Sequence, residues 1–228
     1  MITIKGIYNR VTSYSLLKTL YFNFKCFPIS VAFKLPVYIG RNVKFQKLDG
    51  NCEIKSDIRH GMIRIASSEG MCIYGKTVIR IIDGGKIIFG GKMRIRMGGY
   101  ISVKGLLEFG DDIDMSYGIT IIAHDKVVIG DRSQFGWNVQ IMDTDCHQMK
   151  STETKEQYPM TLPIIIGNHC WICNGTRIMK GSVIPNDVIV GSDSLVNKRL
   201  DVPSYSVVAG IPAKLKKENI TFDRGYEI

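Results

Sequence analysis

From Ile166 onward the chain sets an aliphatic residue at every sixth position: Ile166, Ile172, Ile178, Ile184, Val190, Val196 and Val202. Gly167, Pro185 and Gly191 follow three of them, and four positions after an aliphatic stand Cys170, Thr176, Ser182, Val188 and Ser194, all small or β-branched. An α-helix repeats its faces every ~3.6 residues and a flat strand every ~2, so neither produces this pattern. A period of six suits a parallel β-helix. Short strands are joined by tight turns, the aliphatic side chain points inward onto its equivalent one coil away, and the small residue shares a close-packed interior.

The same frame continues upstream. Phe89-Gly90, Phe109-Gly110 and Ile129-Gly130 stand twenty residues apart, and Ile95, Ile101, Met115, Ile121, Phe135 and Ile141 keep the step of six between them. These coils read as three hexads plus a two-residue corner insertion. Below Phe89 the frame blurs, and "VYIGRNVKF" and "MIRIASSEGMCIYGKTVIRI" read as degenerate coils capping an exposed edge. Nearer the N-terminus, Leu16, Leu17, Leu20, Tyr21 and Phe24 lie at helical spacing. That predicts an amphipathic helix ending near Pro28, packed on its own domain or a subunit neighbour, or lying on a membrane surface. The frame breaks once, at "HQMKSTETKEQYPMTLPII" over 147–165, a polar, proline-bearing loop of the kind that carries function. The expected organisation is a helical or irregular segment over 1–35, degenerate coils over 36–88, regular coils over 89–205 with the loop ejected, and a tail over 206–228.

Charge narrows the partners. Lys and Arg number 30 against 21 Asp and Glu, a formal charge of +9. This favours nucleic acid, a membrane surface or a phosphorylated small molecule. Nucleic-acid binding rests on charge alone, because no basic stretch is interleaved with aromatics. Cys26, Cys52, Cys72, Cys146, Cys170 and Cys173 are irregularly spaced, as in a cytoplasmic protein with reduced thiols. No segment reaches transmembrane length, and Lys18 and Lys25 interrupt "SLLKTLYFNFKCF" in a way a signal peptide would not. Cys170-x-x-Cys173 lacks a second pair, and the frame points the two thiols in different directions, so no metal is expected. "DTD" is too short a match to a metal motif to change that. Phosphate-loop, dinucleotide and nucleophile-elbow motifs are absent from the sequence. His60, His124 and His169 read as solvated, outside the repeats, at a corner and at an outward position.

Three segments, in order, carry a resemblance: "IGDRSQFGWNVQIMDTDCH", "IIIGNHCWICNGTRIMKGSVIPNDVIVGSDSLVNK" and "SVVAGIPAKLKK". Over Ile129 to Lys217 the chain resembles the hexapeptide-repeat acyltransferases, specifically their sugar O-acetyltransferase branch. That branch holds galactoside and maltose acetyltransferases and enzymes that modify capsular polysaccharide and O-antigen. The resemblance implies an all-β fold, a left-handed parallel β-helix with a short N-terminal helical segment and one ejected loop. It also implies a homotrimer with active sites between subunits, acetyl-CoA as donor and a saccharide as acceptor. The handedness comes from the resemblance alone, since parallel crossovers are ordinarily right-handed.

The same resemblance distributes roles. A base with a pKa near neutrality suits transfer from a thioester to a hydroxyl, and the family position at the start of the ejected loop is His147, followed here by Gln148 where proline is common. Asp143, Asp145, Glu153 and Glu156 are candidates to orient it, and Asp143 and Asp145 equally to contact sugar hydroxyls. Ser116 aligns with an acceptor-binding position. Trp171 and Asn174 in "CWICNG" match a motif flanking the donor, with Cys173 in place of the usual glycine. Ser192, Asn197 and Lys198 match pantetheine contacts, and Lys214 and Lys217 match cations for the nucleotide phosphates. Two other readings stay open: an N-acetyltransferase for a nucleotide-linked amino sugar, and a non-enzymatic β-helical scaffold or binding module.

Overall fold

The structure, a computed structural model, describes residues 13–68 and 75–223; Cys72 lies outside them. Each of the first six coils supplies one strand to each of three sheets. The first coil holds β1 (Val37–Ile39), β2 (Val43–Leu48) and β3 (Asn51–Ile54), and the second β4 (Ile63–Ser67), β5 (Thr77–Ile81) and β6 (Lys86–Phe89). The third and fourth hold β7 (Met93–Arg96), β8 (Tyr100–Val103), β9 (Leu106–Phe109), β10 (Ile113–Met115), β11 (Thr120–Ala123) and β12 (Lys126–Ile129). The fifth and sixth hold β13 (Gln134–Phe135), β14 (Gln140–Met142), β15 (Ile164–Ile166), β16 (Trp171–Ile172), β17 (Arg177–Met179) and β18 (Val183–Ile184). Then come β19 (Ile189–Val190), β20 (Leu195–Val196), β21 (Val207–Ala209) and β22 (Lys214–Lys217). The first sheet runs β1-β4-β7-β10-β13-β16-β19-β21-β22, the second β2-β5-β8-β11-β14-β17-β20, and the third β18-β15-β12-β9-β6-β3.

The register is the sequence frame made physical. Ile95, Met115, Phe135, Ile172, Val190 and Val208 pair in succession on the first sheet, all buried. Ile101, Ile121, Ile141, Ile178 and Val196 do the same on the second. Strands pair parallel throughout, except that β22 folds back antiparallel on β21. The segment from 206, expected as a tail, thus gives the first sheet two more strands. The pairing also reaches below Phe89: β1 with β4 and β2 with β5 hold parallel registers, the latter broken by one shift at Phe45/Lys47.

One corner is closed by a side-chain ladder that the frame alone did not reveal. The Oδ1 atoms of Asp111, Asp131, Asn168 and Asn186 accept the backbone N–H groups of Lys92, Asp111, Asp131 and Asn168, one coil earlier, at 2.6–2.8 Å. The signal is the Asp or Asn that follows Gly110, Gly130, Gly167 and Pro185. The glycines permit the close approach: a Cβ on Gly130 would lie 2.5 Å from Asn168 Oδ1 and 2.6 Å from its backbone N. Gly130→Ala is therefore expected to cost about 1–3 kcal/mol, the range for overpacking, read as a lowered denaturation midpoint with an unchanged slope.

The N-terminal helix forms where its spacing predicts, as α1 (Leu16–Cys26), followed by the single turn α2 (Ile29–Ala32). It buries the opposite face. Thr19, Phe22, Asn23 and Cys26 are inside, whereas Leu16 and Leu17 are 68% and 80% exposed. The reason is the edge strand β1, whose polar backbone needs partners. Asn23 Nδ2 donates to Val37 O at 2.7 Å, and Ile39 N–H donates to Thr19 Oγ1 at 3.0 Å. Polar side chains thus decide which face docks. Among the described residues no helix is long and apolar enough to cross a membrane.

Candidate active site

The ejected segment leaves the solenoid at the corner between the second and third sheets and returns as a twisted hairpin. Thr144 bridges Thr161 and Lys150 bridges Gln157, both antiparallel, and Asp145 N–H donates to Met160 O at 3.0 Å. His147 stands exposed on the outgoing arm. Among the described residues no carboxylate is paired with it; Glu153 and Glu156 lie at the exposed tip.

Asp143 corrects a sequence expectation. It is fully buried, and its carboxylate accepts the backbone N–H groups of His124 and Asp125 at 2.8 Å each. Burial nevertheless holds its carboxyl above the usual aspartate range. With both oxygens turned into the corner of the preceding coil, Asp143 neither contacts a sugar nor orients His147. It roots the hairpin instead.

Asp145 faces outward. It forms an ion pair with Lys180, whose ammonium also donates to Pro159 O, so one lysine ties both arms of the hairpin to the sixth coil. Beneath the hairpin, over the outer face of the second sheet, lies a cavity of about 580 Å³. Met149, Met179, Leu195 and Ile211 give it an apolar wall, and Asp145, Arg177, Lys180 and Asn197 a polar one. Asn197 and, next to it, the exposed Lys198 thus share this edge with His147.

The other expected residues gather elsewhere. Ser116, Asn174 and Ser192 occupy the corner between the first and second sheets, two of them in the column that also holds Tyr117 and Trp137. Ser116 N–H donates to Phe135 O at 2.9 Å and is half-buried. Asn174 Oδ1 accepts Trp137 N–H at 2.8 Å, which makes its side chain a corner clasp. Sequence reading missed Trp137, an exposed ring packed edge-on against Tyr117 at 6.2 Å; its position in the frame, equivalent to Asn174, is the signal. Trp171 stands just before this corner on the outer face of β16, 39% exposed. Lys214 and Lys217 are exposed on β22.

Within one chain, then, the candidate residues form two groups on opposite edges of the second sheet. His147, Asp145, Asn197 and Lys198 line one edge; Ser116, Trp171, Asn174 and Ser192 line the other.

His169 is outward, as its hexad position predicts, but it is not simply solvated. Its Nδ1 lies 2.9 Å from Asp187 Oδ1, and Phe222 stacks on its ring at 4.4 Å and leans on Trp171 at 5.6 Å. His124 is half-buried at its corner, and burial pulls its imidazole pKa down. Cys170 is buried and Cys173 half-buried, and burial pushes their thiols up to about 12 and about 11, so neither is a thiolate near neutrality.

No family model matches the chain. The relatives it matches are acetyltransferases, O-acetyltransferases of sugars and polysaccharides among them. It is 27% identical over 128 residues to a putative lipopolysaccharide biosynthesis O-acetyl transferase of Escherichia coli K12, covering 50% of this chain and 62% of that protein. It is 29% identical over 127 residues to the galactoside O-acetyltransferase of the same strain, covering 56% and 61%. The chain thus spans about three fifths of these relatives. In structure it is similar to the polysialic acid O-acetyltransferase OatWY, with 26% identity, a TM-score of 0.51, and coverage of 83% and 81%.

Proposed function

We propose, from this kinship with O-acetyltransferases of the hexapeptide-repeat family, that the chain transfers an acetyl group from acetyl-CoA to a hydroxyl of a saccharide. The surface polysaccharide of a bacterial cell is the class of acceptor its relatives suggest. The observation that carries the reading is His147 on a hairpin clamped beside a half-apolar cavity.

His147 would accept the proton of the attacking hydroxyl. The sugar oxygen bonds to the thioester carbonyl carbon, a tetrahedral oxyanion forms, and its collapse breaks the carbon–sulfur bond. The proton held by the imidazole then passes to the departing thiolate. Holding two substrates in one cleft supplies much of the acceleration. The cavity suits a long, partly apolar arm: its methionine and leucine wall would take alkyl groups, and Asn197 amide groups. Lys214 and Lys217 are the cations offered to phosphates, with Lys198 beside the pantetheine arm.

The working unit in this reading is a homotrimer. Its support is the split of the candidate residues across the second sheet, since one chain cannot close both edges around a single thioester. Threefold packing would set the edge bearing His147 against the edge bearing Trp171 of the next subunit. The exposed Leu16, Leu17, Tyr21 and Phe24, with Lys25 beside them, would give α1 peripheral contact with a membrane surface.

The test is release of free thiol from acetyl-CoA in the presence of neutral, acidic and amino sugars and oligosaccharides. Acceptor-dependent release with O-acetyl product is the expected result. Release only with amino sugars would redirect the reading to N-acetylation. No release and no binding of CoA would leave a β-helical scaffold.

A further inference from the structure

The face that α1 turns away from the solenoid is its apolar one. Leu17, Tyr21 and Phe24 recur at helical steps and are exposed. Phe33, just past α2, extends the row: it is exposed too, with its ring edge-on to Phe24 at 5.2 Å. A row of apolar side chains left in water marks a surface that meets something else. Lys18 and Lys25, one residue after Leu17 and Phe24, flank this ridge on one side.

Against that flank lies a cavity of about 400 Å³, whose wall holds Lys18, Arg41, Lys44 and Lys76 with Phe45 beside them. Tyr21 and Phe45 lie 5.7 Å apart, so ridge and cavity form one surface. Strand register gathers the cations. Val43 pairs with Thr77, and Thr77 N–H donates to Asn42 O at 3.0 Å, which brings Lys76 beside Arg41.

Among the described residues no carboxylate lines the cavity, and its cations meet only neutral partners. Lys18 Nζ donates to the carbonyls of Arg41 and Val43 at 2.6 Å each, which fixes the ammonium there without compensating its charge. Arg41 Nε donates to Tyr14 O at 3.3 Å. Lys44 and Lys76 form no ion pair among the described residues. Lys47 is different: it is paired with Asp49 at 3.0 Å and takes no part in the argument. The cavity is also remote from the candidate active site. β2 and β14, where the hairpin leaves, stand four strand spacings apart on the second sheet, about 19 Å.

We propose that this face docks on an anionic phospholipid bilayer. The ridge of Leu17, Tyr21, Phe24 and Phe33 enters the boundary between headgroups and acyl chains, and one lipid phosphate enters the cavity on Lys18, Arg41, Lys44 and Lys76. Complementarity names the occupant, since an apolar row flanked by cations is what an interfacial helix presents to anionic lipid. A second copy offering the same face would set cation against cation, and a free phosphate would use the cavity but not the ridge. The proposal rests on the peripheral contact through α1 and adds to it a lipid charge and a phosphate site; it is independent of acetyl transfer.

Flotation of the full chain with vesicles tests it, comparing phosphatidylcholine alone with phosphatidylcholine and phosphatidylglycerol mixed. The protein should float with the mixed vesicles, and salt should weaken the binding. Lys44→Gln/Lys76→Gln should lose about thirtyfold in affinity, the effect of two cations near an anionic surface. Lys214→Gln/Lys217→Gln, with the same charge removed elsewhere, should lose little. Leu17→Gln/Phe33→Gln should also bind more weakly, while light scattering without vesicles shows its assembly unchanged. Equal binding to both vesicles, equal losses in the two lysine variants, or calorimetric binding of soluble glycerophosphate as tight as that of vesicles would each overturn the lipid-phosphate site and leave the α1 contact standing. Absence of binding to any vesicle would overturn both. So would a smaller assembly of the Leu17→Gln/Phe33→Gln protein, which would assign the ridge to a second copy. Thiol release is read in none of these arms, so the acetyltransferase reading stands or falls separately.

Discussion

His147→Ala is expected to lower acetyl transfer by about 10²–10⁴-fold, the range for loss of a general base, with CoA affinity and thermal midpoint unchanged. The second half of that expectation comes from where the residue sits. His147 is exposed on the hairpin, and no carboxylate among the described residues holds it, so truncation removes no buried contact. Surface substitutions of this kind stay within about ±0.5 kcal/mol. A fall in rate without a fall in stability would therefore report chemistry. Retained turnover would move the proton acceptor elsewhere, and His169, held by Asp187 beside Trp171, is then the imidazole to substitute next.

The solenoid was legible because its cause is local and repeats. An inward aliphatic every six residues is a packing requirement, and the pairing of Ile172 with Phe135 and Val190 is that requirement satisfied. The Asx ladder was equally present in the sequence, one residue after Gly110, Gly130, Gly167 and Pro185, but a hydrogen bond between coils has no signature until the coils are stacked. The docking face of α1 was not legible. Hydrophobic spacing points to Leu17 and Tyr21, yet the edge strand selects Thr19 and Asn23, because unsatisfied backbone groups cost more than exposed leucines. The site was legible as a set of residues and not as a geometry. Asp143 and Asp145 are two apart and look alike in sequence. The first turns into a corner and the second onto Lys180, because the strand ends at Met142; regular alternation would have put residues two apart on one face.

That inward turn gives Asp143→Ala the largest expected effect on stability, a loss on the order of 2–4 kcal/mol. The variant strands the amides of His124 and Asp125 without their acceptor in a buried corner. Asp143→Asn should fall between wild type and alanine, since its amide keeps one acceptor but sets an N–H₂ against a backbone donor. The pH dependence has a definite sign. Burial outweighs the amides and raises the folded carboxyl above its unfolded value, so the folded state holds the proton more tightly. The contribution of Asp143 is then complete below the unfolded pKa and diminishes as pH rises through the folded one. Urea melts of wild type and Asp143→Ala should show a stability gap that is widest in mild acid and narrows toward neutrality. A gap that instead closes on acidification would mean that the amide cradle, not burial, governs this carboxylate. In either case the root of the hairpin weakens, and acetyl transfer should fall with it even though Asp143 never meets the substrate.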